Sequence, residues 1–73
     1  MSDNVIKIGS KYKHFKGNEY LVINIAKNSE TMEDMVVYQA LYGDKSIWVR
    51  PLSMFLDYIN VKGSSIRRFQ EIE

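Results

Sequence analysis

In this 73-residue chain, the two residues best suited to holding a ligand are Trp48 and Arg50. They stand two apart in Ile47-Trp48-Val49-Arg50, so an extended backbone sends both side chains to one face and Ile47 and Val49 to the other. A guanidinium fork beside a flat indole can grip a carboxylate or phosphate while the ring stacks on a base or an apolar group. Tyr38 and Tyr42 are an even number of residues apart and share a face of the preceding strand. If the Gly43-Asp44 turn closes a hairpin, one or both tyrosines come near Trp48. Ser29, Glu30 and Thr31 would add hydroxyls and a carboxylate at the rim. The competing reading treats the aromatics as core and Arg50 as an anchor for the loop that starts at Pro51.

Other residue types offer less chemistry. His14 is the only histidine and the chain has no cysteine, so the usual zinc site cannot be assembled and no metal or other cofactor is expected. Ser29 beside Glu30 has no Gly-x-Ser-x-Gly elbow around it, and hydroxyl side chains before a glutamate fit turn and capping chemistry better than nucleophilic catalysis. Glu30, Glu33 and Asp34 form an acidic segment, and a pairing of Glu30 or Glu33 with Arg50 is a reasonable structural expectation. No catalytic residue is assigned. Lys11, Lys13 and Lys16 interleave with Tyr12 and Phe15, the form of a single-strand nucleic-acid platform, and Arg67 and Arg68 could join them. The same alternation describes an ordinary amphipathic strand with lysines outward.

The elements that must position these groups are short and β-like. Tyr20–Ile25 and Val36–Tyr42 are rich in β-branched and aromatic residues, and Pro51 ends the Ile47–Arg50 strand. Glycines at 17, 43 and 63, followed by Asn, Asp or Ser, read as hairpin turns, the last separating 58–61 from 66–72. One short helix is predicted around 53–59, with Ser53 as its cap and Phe55 and Ile59 on one face. A further helical turn is predicted at Ser29–Asp34. The fold class is mainly β, with about five strands. It is expected to be a small SH3-like barrel or, alternatively, a strongly curled antiparallel sheet carrying one helix.

Composition sets the outer limits. The length allows one small domain, assigned to 9–73 behind an N-terminal extension at 1–8. Ten basic and nine acidic side chains give a net charge of +1, without the basic excess that a dedicated nucleic-acid binder carries. The longest apolar run, Tyr20–Ile23, is far short of the roughly 20 residues of a membrane span, and no secretory leader is seen. A soluble, cytoplasmic protein is expected.

Several stretches together resemble a bacterial family. They are Tyr12, His14-Phe15-Lys16-Gly17 and Tyr20; Ser29-Glu30-Thr31 and Glu33; Val36-Val37-Tyr38 and Leu41-Tyr42-Gly43; and Trp48-Val49-Arg50-Pro51, Met54-Phe55 and Arg68-Phe69. The family is known as domain of unknown function 1653, and the resemblance covers about residues 9–72. It implies a small cytoplasmic bacterial domain and brings no activity, substrate or cofactor. Asn28 stands where the family usually has a histidine, and Asn24 where a glycine is common. The expectation is therefore a non-catalytic binding module that takes a small ligand or peptide on Tyr38, Tyr42, Trp48 and Arg50. The alternatives are a nucleic-acid binder using Lys11, Lys13, Lys16, Arg67 and Arg68, and a small hydrolase centred on Ser29 and Glu30.

Overall fold

The structure is a computed structural model and describes residues 6–72. Seven strands and one helical turn follow one another: β1 (Lys11–His14), β2 (Glu19–Lys27), β3 (Asp34–Ala40), β4 (Ile47–Pro51), α1 (Leu52–Phe55), β5 (Tyr58–Val61), β6 (Ser64–Arg67) and β7 (Phe69–Glu71). Five strands form one antiparallel sheet in the order β4-β3-β2-β1-β7, and β5 and β6 pair as a separate hairpin.

The sheet is open. Among the described residues β4 and β7 lie at opposite edges and do not pair, so the expected SH3-like barrel gives way to the alternative, a curled sheet with one short helix. In a flat sheet four strand spacings would separate those edges by roughly 19 Å. Here the guanidinium of Arg50 on β4 lies 5.7 Å from the ring centre of Phe69 on β7, which measures how far the sheet has folded over. Part of that curl comes from a β-bulge in β2. The register with β3 slips between Val22 and Asn24, and the Asn24 carboxamide accepts a hydrogen bond from the Ile25 amide at 2.8 Å.

The core fills the concave side. Tyr12, Val22, Val36, Tyr38, Phe55 and Phe69 form one buried cluster, and Ile6, Tyr20, Ile25 and Leu52 pack against it. Phe55 is its centre, since α1 drops this ring flat onto Phe69 at 4.1 Å and edge-on against Tyr12 and Tyr38.

Four local expectations need correction. The helix spans Leu52–Phe55 instead of 53–59, its N-cap is Pro51 without a side-chain bond, and Tyr58 and Ile59 belong to β5. The expected helical turn is a single one at 29–31, closed by the Met32 amide donating to the Asn28 carbonyl at 2.7 Å; Asp34 already belongs to β3, and the capping group is Asn28, not Ser29. The Asn28 carboxamide accepts from the amides of Glu30 and Thr31, and the Thr31 hydroxyl accepts from the Glu33 amide. The turn after β5 is only Lys62-Gly63, both with φ near that of a type I′ turn (52° and 84°), so Ser64 already belongs to β6. Finally, Arg68 interrupts 66–72 and divides it into β6 and β7. Of the extension assigned to 1–8, residues 1–5 lie outside the described residues. Beyond them, Ile6 joins the core and the Lys7 amide donates to the Tyr12 hydroxyl.

Candidate functional site: an arginine laid over an aromatic floor

The pairing of β3 with β4 sets Tyr38 opposite Trp48 and Val36 opposite Arg50. Facing residues of an antiparallel pair share a side of the sheet, so Trp48 and Arg50 sit on the concave side at its free margin. Their settings differ. Trp48 is 54% exposed and Arg50 half-buried. The indole is therefore not core, and Arg50 does not tie down a loop, because its side chain makes no hydrogen bond or ion pair among the described residues. Its Nε is buried without a partner. A buried donor left unmet costs about 1–3 kcal/mol, and such groups are rare enough to need a reason.

Beneath the guanidinium runs a continuous aromatic floor. Phe69 touches Tyr38 and Tyr20 edge-on at 5.7 and 5.6 Å, Tyr20 touches Tyr42 at 5.6 Å, and the hydroxyls of Tyr20 and Tyr42 share a hydrogen bond of 2.7 Å. Burial, together with that bond to Tyr42, pushes Tyr20 up to about 12. His14 faces Phe69 across the β1–β7 pairing, edge to face at 4.9 Å. Its Nδ1 accepts the Lys16 amide, which leaves Nε2 to carry the proton of the neutral ring. Partial burial first, then the positive charges of Arg50, Arg68 and Lys16, hold its pKa below the ordinary value. Of these cations Arg68 is neutralised by Asp57, at 2.8 and 3.3 Å. Among the described residues Arg50 is not, so there the concave margin carries positive charge without a counter-charge beside exposed ring surface. That arrangement suits an anion attached to a flat or apolar group.

The four residues expected to share this surface separate by depth. Trp48 and Tyr42 are exposed, Arg50 bridges surface and interior, and Tyr38 is buried, so it supports the surface from below. Ser29, Glu30 and Thr31 lie exposed at the tip of the β2–β3 hairpin, beyond the Lys27–Asp34 ion pair. By register this end lies nearer Arg50 than Trp48. Neither Glu30 nor Glu33 pairs with Arg50, and the Ser29 hydroxyl meets no base among the described residues.

The residues offered for nucleic acid are only partly gathered. Lys13 and Arg67 line one depression of about 250 Å³ with Phe15 and Ile66, and the Lys16 ammonium lies 5.8 Å from the exposed Phe15 ring. Lys11 sits on β1 opposite Leu21. Arg67, however, donates to the Leu56 carbonyl and lies over Tyr58, and Arg68 is held by Asp57. Among the described residues no three potential metal-ligating side chains converge. No helix there is long and apolar enough to cross a membrane.

Sequence reasoning missed Phe69, Phe55 and Tyr20 as the floor of the site. Phe69 reaches it only through pairing with β1, more than fifty positions away, for which no local pattern gives a signal. The geometry has its counterpart in a family. The model for "Protein of unknown function (DUF1653)" matches residues 10–71. The chain belongs to the DUF1653 family. A crystal structure of a DUF1653 protein from Bordetella bronchiseptica is similar to it at 27% identity with a TM-score of 0.84, covering 97% of this chain and 92% of that one. No curated protein matches the chain. The family description names no activity, so function has to be argued from the site itself.

Proposed function

We propose that this DUF1653 chain is a non-catalytic bacterial binding module of the cytoplasm, recognising a small ligand or peptide that carries a carboxylate or phosphate next to an apolar group. The observation that carries the reading is Arg50, whose guanidinium rests on Phe69 with a buried Nε left without a partner, two residues from a half-exposed Trp48. A structural arginine in that place would be expected to hold a carbonyl or carboxylate; among the described residues this one holds neither, which leaves its guanidinium to an outside anion. Trp48 and Tyr42 then supply ring surface, and Ser29, Glu30 and Thr31 flank the Arg50 end. Small SH3-like barrels also use an aromatic face for binding, but that is a likeness of form and carries no weight here.

Trp48 is the single tryptophan, so its fluorescence reports on the site directly. Benzoate should change the emission saturably while uncharged benzamide does not, and Arg50→Leu should remove the benzoate response. Equal responses to the two compounds, or a benzoate response that survives Arg50→Leu, would remove the reading.

A second reading rests on the depression lined by Lys13 and Arg67 beside the exposed Phe15 ring, which offers a stacking surface and the exposed Lys13 ammonium to a single strand. Affinity for oligothymidylate should fall steeply with salt, about tenfold or more between 50 and 200 mM for several phosphate contacts. Binding that ignores salt removes this reading.

A further inference from the structure

The free margin of β4 is unusually open. Ile47, Trp48 and Val49 are 60, 54 and 60% exposed, three apolar residues in a row. Their backbone can be followed from one bond at the hairpin, where the Ala40 amide donates to the Ser46 carbonyl at 2.9 Å. Antiparallel pairs alternate between bonded and non-bonded, so Tyr38–Trp48 and Val36–Arg50 are the bonded pairs that follow. The amides and carbonyls of Ile47 and Val49 therefore point away from β3, and no described strand receives them. Pro51 lacks an amide and marks the end of the usable edge. The opposite edge is blunt by comparison. There β7 is three residues long, and its Glu71 is engaged by Lys7 at 3.7 Å.

We propose that the β4 edge binds an extended peptide by antiparallel strand addition, the peptide's acidic side chain meeting Arg50 and an apolar side chain, two residues further on, covering Trp48. This rests on the reading of Arg50 and Trp48 given above and names the ligand class. The alternation decides where specificity falls. Because Ile47 and Val49 make the bonds to the incoming strand, Trp48 and Arg50 occupy the non-bonded positions, where facing side chains come closest, with Cα atoms about 4.5 Å apart. Antiparallel direction orders the recognised segment as acid, any residue, apolar residue from N to C terminus. Charge selects a peptide over a second copy of this chain. With β4 centred on itself at Val49, Arg50 of each copy would face Trp48 of the other and meet no carboxylate, so its charge would stay without a counter-charge. Backbone bonds would give affinity and the two facing side chains selectivity, the usual division in strand addition.

The test is a titration of Trp48 fluorescence with the blocked peptide acetyl-Thr-Glu-Thr-Val-Thr-amide. Three comparisons accompany it: a Gln-for-Glu version, a version N-methylated at the amides facing β4, and benzoate. Binding by the parent peptide, with at least a tenfold loss for both altered peptides, is the expected result. Val49→Pro removes only an outward-pointing amide. It should weaken the parent peptide by a similar factor while benzoate is unaffected, and a thermal melt checks that this variant folds. If the N-methylated peptide binds as well as the parent, strand addition is wrong while the anion site stands. If neither peptide nor benzoate perturbs Trp48, the site reading fails with it. A concentration-dependent dimer in sedimentation that Val49→Pro dissolves would assign the edge to a second copy and overturn the proposal.

Discussion

Two groups of aromatic residues share the concave side of this sheet, and they are used in opposite ways. Phe55, Phe69, Tyr12 and Tyr38 are closed into the core, ring against ring, while Trp48 and Tyr42 lie at its margin with about half of their surfaces open. Residue type does not separate the groups, since Tyr38 and Tyr42 are four residues apart on one segment. Position relative to the β4 edge does, since Phe69 on the opposite edge strand is covered by Phe55. An aromatic on a central strand is covered from above by α1 and β7, whereas one on β4 has a neighbour on one side only. A domain this small cannot seal both edges of an open sheet, and the edge left bare is the one that carries Arg50, which has no ion pair among the described residues.

The contrast is sharpest in stability. Phe55→Ala should destabilise the chain by about 3–5 kcal/mol in urea unfolding, because a fully buried ring would leave a cavity beneath Phe69. That is a large share of the roughly 4–11 kcal/mol available to a chain of this length. A loss under about 1 kcal/mol would mean that the rings are not close-packed. Phe69→Leu is expected to cost less, about 1–2 kcal/mol, yet to weaken the benzoate response, since it removes the ring beneath Arg50. Unchanged binding would separate the floor from the site.

Tyr42→Phe should cost about 0.5–1 kcal/mol, the share of one exposed hydroxyl pair. It has a clearer signature in pH. In the folded chain Tyr20 holds its proton up to about 12 against a reference of 10.0. The native state therefore binds that proton more tightly than the unfolded state, and the contribution is whole below pH 10 and lost as the pH rises toward 12. Removing the Tyr42 hydroxyl should narrow this window, which an ultraviolet titration of tyrosinate would follow. The smallest effect belongs to Trp48→Ala, within about 0.5 kcal/mol in a thermal melt, as for most surface substitutions. A cost of several kcal/mol would erase the distinction between the two groups.

Much of the fold could be read in the residues. The β2, β3 and β4 segments follow from β-branched runs between glycines, and Pro51 closes β4 as its missing amide requires. The helix was legible in kind but not in extent. The apolar residues from Leu52 to Ile59 satisfy both periods, and Tyr58 and Ile59 are drawn into the β5–β6 hairpin by the tight turn at Lys62-Gly63. The site was half legible. Trp48, Arg50 and the pairing of Trp48 with Tyr38 follow from local spacing and one turn. The floor depends on β7 crossing to β1, and the lack of a partner for Arg50 among the described residues depends on which carboxylates fail to reach it. Both are facts of three-dimensional placement. The nearby acids looked like partners, but Asp34 is engaged by Lys27, and Glu30 and Glu33 sit on a turn organised by Asn28.

The bulge in β2 acts as a phase shifter. Ahead of it the inward positions are even-numbered, Tyr20 and Val22; behind it Ile25 packs inward instead. In a regular strand of the same residues, strict two-residue alternation would turn Asn24 into the core and Ile25 out to water. Deleting Ile23, an exposed residue that no substitution scan would single out, would keep Ile25 inward and remove the bulge. It would restore perfect pairing between β2 and β3 and flatten the sheet, carrying Arg50 away from Phe69. The irregular step keeps two distant strands within reach of each other.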